Sequence, residues 1–512
     1  MLRFQLFTLI ACLLFASHAF AQDKPKAPAP PRPNIILIMV DDMGFSDIGC
    51  YGGEVQTPTL DKLAAQGMRF TSFYNNAKCT TTRASLLTGL FPRFGKGGHL
   101  RTDMITIGEA MKKAGYGTAL SGKWHLGSGE TTHPYRRGFD TYFGLLDGCC
   151  NFFNPSQPDP PYKGGKVRKF GFNDQTIKEF PEDFYTTDAF TDHAIAAIQH
   201  FHQTGEPFLL HICYTAPHYP LHAKPEDIKK YVGKYKMGWD QMRKDRFERQ
   251  KKMGLADDTW KLTDEDSRSY SWESAAQEFE DLRMAVYAAM IDSVDQNIAR
   301  LLEALTQTGE IDNTVIFFLS DNGGCSEEPG GRDPKKRNPG PKDDYVAVGP
   351  AWGWAQNAPF KRYKSWSHEG GICTPMIAWW PGQIKANTIT REVGHIIDFL
   401  PTFLDLAGAE YPKEYEGNKL LPVEGVSLVP VLKGGTVKRS EGLGWFWGGT
   451  RAYREGDWKV VWDKGAKEWE LYNLAKDRCE ANDLSKKETA KAAELAKKWF
   501  AWAETMELNV KE

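Results

Sequence analysis

The chain has 512 residues, with 64 Lys+Arg against 66 Asp+Glu for a net charge of −2, and is 41% hydrophobic and 25% charged. That length calls for one large domain or two to three smaller ones, and the composition excludes a disordered, collagen-like or polytopic membrane chain. The near-neutral charge argues against a nucleic-acid partner held by bulk electrostatics, and nine Cys are too sparse for a disulfide scaffold.

Residues 1–21 carry a single charge, Arg3, followed by a mostly apolar stretch from Leu6 to Phe15 and by Ala19-Phe20-Ala21, small residues where a signal peptidase reads. This predicts a signal peptide and an exported protein, periplasmic or secreted, with no transmembrane segment in the mature chain. Leu9-Ile10-Ala11-Cys12 also looks like a lipoprotein cleavage box, but Leu13, Leu14 and Phe15 continue the apolar run instead of starting a polar tether. Residues 22–33 read as a Pro- and Lys-rich linker, and the folded part starts near Asn34.

Ile35 to Val40 is an unbroken apolar run, as expected of a parallel strand buried on both faces, and it ends in Asp41-Asp42. Thr57 and Pro58 predict a helix start, with Gly67 closing that helix. A second strand is predicted from Phe208 to Cys213, running into Tyr214-Thr215-Ala216-Pro217-His218. A helix is predicted from about Phe279 to Leu305, with Met284, Tyr287, Ala288, Ile291, Val294 and Ile298 at helical spacing. A third strand, Val315 to Leu319, ends in Ser320-Asp321-Asn322-Gly323-Gly324. The charged stretch Tyr231 to Arg268 reads as a solvated helical excursion, and Glu327 to Val346 as a long loop. After Gly434-Gly435 the pattern changes to short strands over Trp445–Trp462 and an amphipathic helix over Lys486–Thr505, an α+β subdomain spanning 439–512. Trp445, Phe446 and Trp447 are compatible with sugar stacking and equally with a packed interface between the subdomains, the favoured reading. Strand–helix alternation over 34–438 predicts an α/β fold with a large, mostly parallel sheet, whose ligands bind beyond the carboxyl ends of the strands.

Three predicted strands end in Asp, Asn or His, where that rule places a site. Asp41-Asp42 and Asp321-Asn322 offer four oxygen ligands suited to Ca²⁺ or Mg²⁺ and unsuited to Zn²⁺. A cap or turn is the other reading of each pair. In Lys78-Cys79-Thr80-Thr81-Thr82-Arg83-Ala84-Ser85-Leu86-Leu87-Thr88-Gly89, a short helix from Thr80 to Gly89 puts Cys79 at its N-terminus with Arg83 on the same face. That arrangement suits a tetrahedral anion. A small buried thiol is the other reading.

These segments resemble the type I sulfatases, whose signature is Cys-x-Pro-x-Arg followed by Leu-x-Thr-Gly. Cys79 to Gly89 is similar to it, and further segments follow in family order: Asp41-Asp42-Met43-Gly44, Gly122-Lys123-Trp124-His125, Ala216-Pro217-His218, Ser320-Asp321-Asn322-Gly323, Lys364 with His368-Glu369-Gly370-Gly371, and Trp380-Pro381-Gly382. Gly456-Asp457-Trp458-Lys459 and Trp469-Glu470-Leu471-Tyr472 look like an arylsulfatase tail. The resemblance implies an alkaline-phosphatase-like α/β sandwich with its catalytic domain at 34–438. It implies hydrolysis of an aryl or carbohydrate sulfate ester. It also implies formylglycine made from Cys79 by a maturation enzyme, and one Ca²⁺ on Asp41, Asp42, Cys79, Asp321 and Asn322. Arg83 and Lys123 would hold the formylglycine, His218 and Lys364 would bind sulfate and protonate the leaving oxygen, and His125 would accept a proton in the second step. A phosphonate monoester hydrolase or phosphodiesterase of the same superfamily is the alternative. Thr81 stands where the family has Pro or Ala. A chain that keeps the Cys79 thiol on that account would be a non-catalytic binder of sulfated glycans. His211, His222, His368 and His395 read as structural, with His222 also placed at the substrate entrance.

Overall fold

The computed structural model describes residues 32–263 and 270–510. The signal peptide and most of the linker expected at the N-terminus lie outside the described residues. Asn34–Val40 (β1), Met68–Tyr74 (β2), Gly117–Gly122 (β3), Thr141–Leu145 (β4), Phe170–Phe172 (β5), Gln175–Ile177 (β6), Phe208–Cys213 (β7), Thr314–Ser320 (β8), Cys373–Trp379 (β9), Thr388–Thr390 (β10) and Gly394–His395 (β11) form one sheet. Its order is β10-β2-β9-β8-β1-β7-β3-β4-β5-β6, with β11 beside β2. The five central strands β8-β1-β7-β3-β4 are mutually parallel, and β9, β5 and β6 are antiparallel to their neighbours.

Double burial explains why β1 carries no polar side chain between Asn34 and Asp41. Ile35, Leu37 and Met39 pack into one hydrophobic layer, and Ile36, Ile38 and Val40 into the other. Each such residue removes its side chain from water, worth about 1.5–3 kcal/mol. The helix expected from Phe279 runs from Gln277 to Thr308, 32 residues, about 48 Å at 1.5 Å per residue. Met284, Tyr287, Ala288, Ile291, Val294 and Ile298 all lie in one of these layers.

Two sequence expectations change. Thr57 precedes the helix Pro58–Ala65 without capping it: its hydroxyl accepts from Gly49 N and donates to Asp61. The free amides of Thr59 and Leu60 are met instead by Asp295 of the long helix, at 3.0 and 2.8 Å. Gly67 does not close that helix with a left-handed turn; it allows the backbone to approach Ala378, whose carbonyl would lie 2.4 Å from an added Cβ.

The charged stretch is solvated on one side only. Within it the helix Gly238–Lys252 buries Trp239, Arg243, Arg246 and Gln250 completely. Arg246 pairs with Asp47 at 2.6 Å and Glu54 at 2.7 Å. Arg243 donates to the carbonyl of Trp354 and stacks 4.0 Å above its ring. Composition counts such charges without showing that each has a partner, which is the condition for burying them. Residues 264–269 of that stretch lie outside the described residues.

At the C-terminal end, Leu443–Trp447, Thr450–Glu455, Trp458–Asp463 and Glu468–Asn473 form a four-stranded antiparallel sheet, covered by the helix Thr489–Thr505. Trp445 is 1% exposed and donates to the carbonyl of Asn75, so it belongs to a packed interface. Beside it, Lys459 bridges Glu369 and Glu480, each at 2.7 Å, and Arg478 and Tyr74 also contact Glu369. All three members of the bridge are buried. Lys459→Met leaves two buried carboxylates one cation short, and chemical denaturation is expected to show a loss of about 3–5 kcal/mol. The eight cysteines among the described residues are free thiols, and among the same residues no helix is long and apolar enough to cross a membrane.

Candidate active site

The site follows from strand register. Val40 pairs with Ser320, Met39 with Cys213, and Cys213 with Gly122. Four neighbouring parallel strands therefore stop at one level, and their next residues (Asp41, Asp321, Tyr214 and Lys123) emerge together at the carboxyl edge of the sheet. Backbone bonds tie these ends: Asp41 N to Ala216 O, Asp321 N to Val40 O and Lys123 N to Cys213 O. Asp42 sits at φ +65°, a conformation Asp and Asn tolerate better than most residues. Tyr287 of the long helix fastens this loop by donating to Asp47 at 2.7 Å and to the carbonyl of Asp42 at 3.1 Å.

Asp41, Asp42, Asp321 and Asn322 converge here, all fully buried. Asn322 donates to Asp42 at 2.7 Å, and the amide of Asp42 donates to Asp321 at 3.3 Å. Three cations close around the carboxylates. Lys123 lies 2.5 Å from Asp41, Arg83 2.8 Å from Asp321, and Lys364 2.7 Å from Asp42, with His218 3.4 Å from the same carboxylate. Cys79 is the first residue of the helix Cys79–Thr88, which ends at left-handed Gly89. Arg83, Lys123 and Lys364 all lie within electrostatic reach of residue 79. Thr81 fits without loss: its hydroxyl donates to the carbonyls of Lys78 and Asn76.

A hard divalent cation fits this donor set. Oδ1 of Asp41 and Oδ1 of Asn322 are buried with no hydrogen-bond partner, and every candidate ligand on these four residues is oxygen. Burial, and then the neighbouring Asp41, push the Asp321 carboxyl up to about 6 against Arg83 and Lys123. Burial would raise Asp42 too, but the charged Lys364 and the side chain of Asn322 hold that carboxyl well down. A tight group of Asp41, Asp42 and His218 ligand atoms, all within 4.8 Å of one another, lies at the same place.

The histidines split by environment. Burial, followed by Lys123 and Arg83, holds His125 well below the ordinary imidazole value. Burial likewise lowers His218 to about 3, with Lys364 and Lys123 adding to it and Asp42 opposing. Both rings are therefore neutral near pH 7, and His218 Nδ1–H is spent on the carbonyl of Tyr219 at 2.6 Å. Lys364 and Lys123 behave oppositely: burial disfavours their charge, but Asp42 and Asp41 raise them. His211 and His395 are structural, bonding Leu37 O and receiving Ile397 N. His222 is 1% exposed and held by Asp344 O and Phe152 N, so it does not line an entrance.

Three contributors carry no motif signal. Glu327 sits at the mouth, its side chain 38% exposed, 3.2 Å from Lys78 and 3.6 Å from Lys364. Tyr219 donates to it at 2.5 Å. Gly148 leaves room for the His125 ring: an added Cβ would lie 2.5 Å from its Cε1 and 2.6 Å from its Nε2. Gly148→Ala is expected to displace that ring and lower kcat by about 10–100-fold. Steady-state kinetics beside an unchanged melting temperature would show this.

A family profile described as Sulfatase matches residues 33–409. An uncharacterized sulfatase of Schizosaccharomyces pombe is 32% identical, over 93% of this chain and 94% of that protein. An arylsulfatase of Klebsiella aerogenes is 34% identical, over 78% of this chain and 91% of its own length. Among solved structures, Ps i-CgsB in complex with k-i-k-neocarrahexaose superposes with a TM-score of 0.68 at 27% identity, covering 92% of this chain and 93% of the other.

Proposed function

The chain belongs to the sulfatase family and is a sulfuric ester hydrolase; we propose that it frees inorganic sulfate from an aryl or carbohydrate sulfate ester, with Cys79 as the reacting residue. The observation that carries this is the convergence of Arg83, Lys123, His125, His218 and Lys364 with four buried oxygen ligands around Cys79, at a helix N-terminus. A sulfate ester is anionic and repels an anionic nucleophile, and a preorganised cationic pocket stabilises the charge that develops during transfer.

In this reading Cys79 is oxidised by a maturation enzyme to formylglycine, whose hydrate supplies one hydroxyl to attack sulfur and a second whose deprotonation expels sulfate. Asp41, Asp42, Asp321, Asn322 and residue 79 would hold Ca²⁺, which would supply Lewis acidity. Arg83 and Lys123 orient residue 79. His218 and Lys364 bind the sulfate oxygens. Lys364 is the better donor to the leaving oxygen, because it is cationic where His218 is neutral. His125, neutral and with Nδ1 unpartnered, accepts the proton of the second hydroxyl. Because His125 is held below the ordinary value, kcat is expected to persist as pH falls through 6.5, with its acid limb lying lower. A pH profile checks this.

Residues 1–21 act as an export signal in this reading, 34–438 as the catalytic domain and 439–512 as the C-terminal subdomain. The carbohydrate branch of the substrate class draws support from the neocarrahexaose complex of the similar structure and from similarity to N-acetylgalactosamine-6-sulfatase of Mus musculus. The aryl branch draws on the Klebsiella aerogenes enzyme. The test is sulfate release from a panel of sulfated glycans and from p-nitrophenyl sulfate, with a phosphonate monoester in parallel and mass analysis of the Cys79 peptide. Sulfate release with an aldehyde at residue 79 is expected. An unmodified thiol with binding but no release would establish the non-catalytic binder, and preference for the phosphonate would establish the other hydrolase.

A further inference from the structure

Lys364 reaches Asp42 from the segment 361–369, which has an irregular backbone. Arg362 and Ser365, on either side of it, both have positive φ, +67° and +69°. On one side this segment is bonded to the active-site loops: Lys364 N donates to Gly324 O at 3.1 Å and Ser365 N to Ala77 O at 2.8 Å. On the other side it is held by the C-terminal sheet. Glu470 receives Lys361 at 3.1 Å, His368 Nε2 at 2.6 Å and the hydroxyl of Tyr472 at 2.8 Å. Asp463, on the neighbouring strand, receives Arg362 at 2.9 Å. Thr450 accepts from Ser367 N at 3.0 Å, and Lys464 donates to Ser365 O at 3.4 Å.

Glu470 thus grips the chain three residues before Lys364 and four residues after it. The ligand atoms of His368, Asp463 and Glu470 also lie within 4.8 Å of one another, but this is a lock of ion pairs and not a metal site. Lys361 and Arg362 already match the carboxylates, and Asp463 Oδ1 is further occupied by the amides of Gly465 and Ala466. A dication there would have to displace those charges.

We propose that the C-terminal sheet positions Lys364, with Glu470 as the principal positioning residue. A lysine stem is flexible and its ammonium is a point charge without directional preference, so its reach is set by where its backbone is held. Placement errors of about 1 Å at a reacting centre cost on the order of 10²-fold in rate. The segment Trp469-Glu470-Leu471-Tyr472 thereby gains a task in sulfate binding although Glu470 touches no substrate. The proposal rests on the reading of Lys364 as a sulfate ligand.

A double-mutant cycle on the full-length protein separates the two. Glu470→Gln, which keeps shape and removes charge, is expected to lower kcat/KM by about 10–100-fold. Its KM and its inhibition constant for inorganic sulfate are expected to rise, as Lys364 loses its hold on the anion. In a Lys364→Ala background the same substitution is expected to cost no more than about twofold, since coupled residues are non-additive. Equal losses in both backgrounds, or a Glu470→Gln enzyme within twofold of the parent, would overturn the proposal. A Lys364→Ala enzyme within twofold of the parent would overturn the reading of Lys364 instead. If Glu470→Gln does not fold, Asp463→Asn removes the second anchor through Arg362, and the same comparison decides.

Discussion

Cys79→Ala eliminates sulfate release, with a loss in kcat on the order of 10⁶-fold, the scale seen when a covalent nucleophile is deleted. The size follows from the neighbourhood. Cys79 is 2% exposed, and the buried hydroxyls of its own helix are already engaged. Thr81 donates to Lys78 O and Asn76 O, Thr82 accepts the amide of Asn76, and Ser85 accepts the side chain of Asn76. The cations that would stabilise the transition state stay in place, so binding of inorganic sulfate should survive while turnover does not. The stability change is small, because only one sulfur atom leaves the core and the helix Cys79–Thr88 gains a better helix former. Initial-rate assays together with a melting curve check both halves. Cys79→Ser makes a finer prediction where residue 79 stays unmodified. One hydroxyl can attack, but no second hydroxyl expels the sulfate, so intact-mass analysis should find a sulfated protein instead of turnover. A Cys79→Ala enzyme retaining a tenth of the parent rate would refute the assignment.

Chelation is the second test, and Asp321 gives it a pH signature. Removal of a divalent cation should abolish activity, and Ca²⁺ should restore it. Asp321→Asn should lower kcat/KM by about 10³-fold, corresponding to several kcal/mol of transition-state charge stabilisation. In the metal-free protein the folded-state value of Asp321 lies above the ordinary carboxylate value, at about 6 against 3.8, owing to burial and Asp41. An acid raised in this way favours the fold while protonated, so that stability is present below about 3.8 and is lost as pH rises through about 6. Chelator-treated protein should therefore melt lower at pH 7.5 than at pH 5, and Ca²⁺ should recover the difference. Asp321→Asn removes this group and should flatten the profile between those pH values. A parent protein whose melting temperature and activity ignore both chelator and Ca²⁺ would remove the metal from the mechanism.

How far the chain could be read from its residues depends on the distance over which each signal acts. β1, β7 and β8 are evident because burial on both faces keeps them almost wholly apolar (His211 in β7, bonded to Leu37 O, is the interior exception), and the helix Gln277–Thr308 is evident from one apolar face. The short strands β5, β6 and β10 leave no such trace, since three residues make no period. Arg243 and Arg246 mislead for a related reason: a charge with a buried partner and a charge in water are the same letter. Motif residues such as Cys79, His125 and Lys364 stand out through their neighbours in the chain. Glu327 and Gly148 do not, because each acts on a residue far away in sequence.

Local chemistry therefore already contained three central strands of the sheet, the helix start at Cys79, the oxygen character of Asp41, Asp42, Asp321 and Asn322, and the family these segments resemble. What it could not contain was their meeting. That depends on the register that sets Val40 beside Ser320 and Cys213 beside Gly122, which brings residues nearly three hundred positions apart to one edge. It depends equally on the packing that buries Arg246 against Asp47 and sets Glu470 against His368. Periodicity and propensity act over a few residues, whereas charge pairing and cavity shape act through space. The protonation states of His125, His218 and Asp321 therefore appear only once the chain has closed around them.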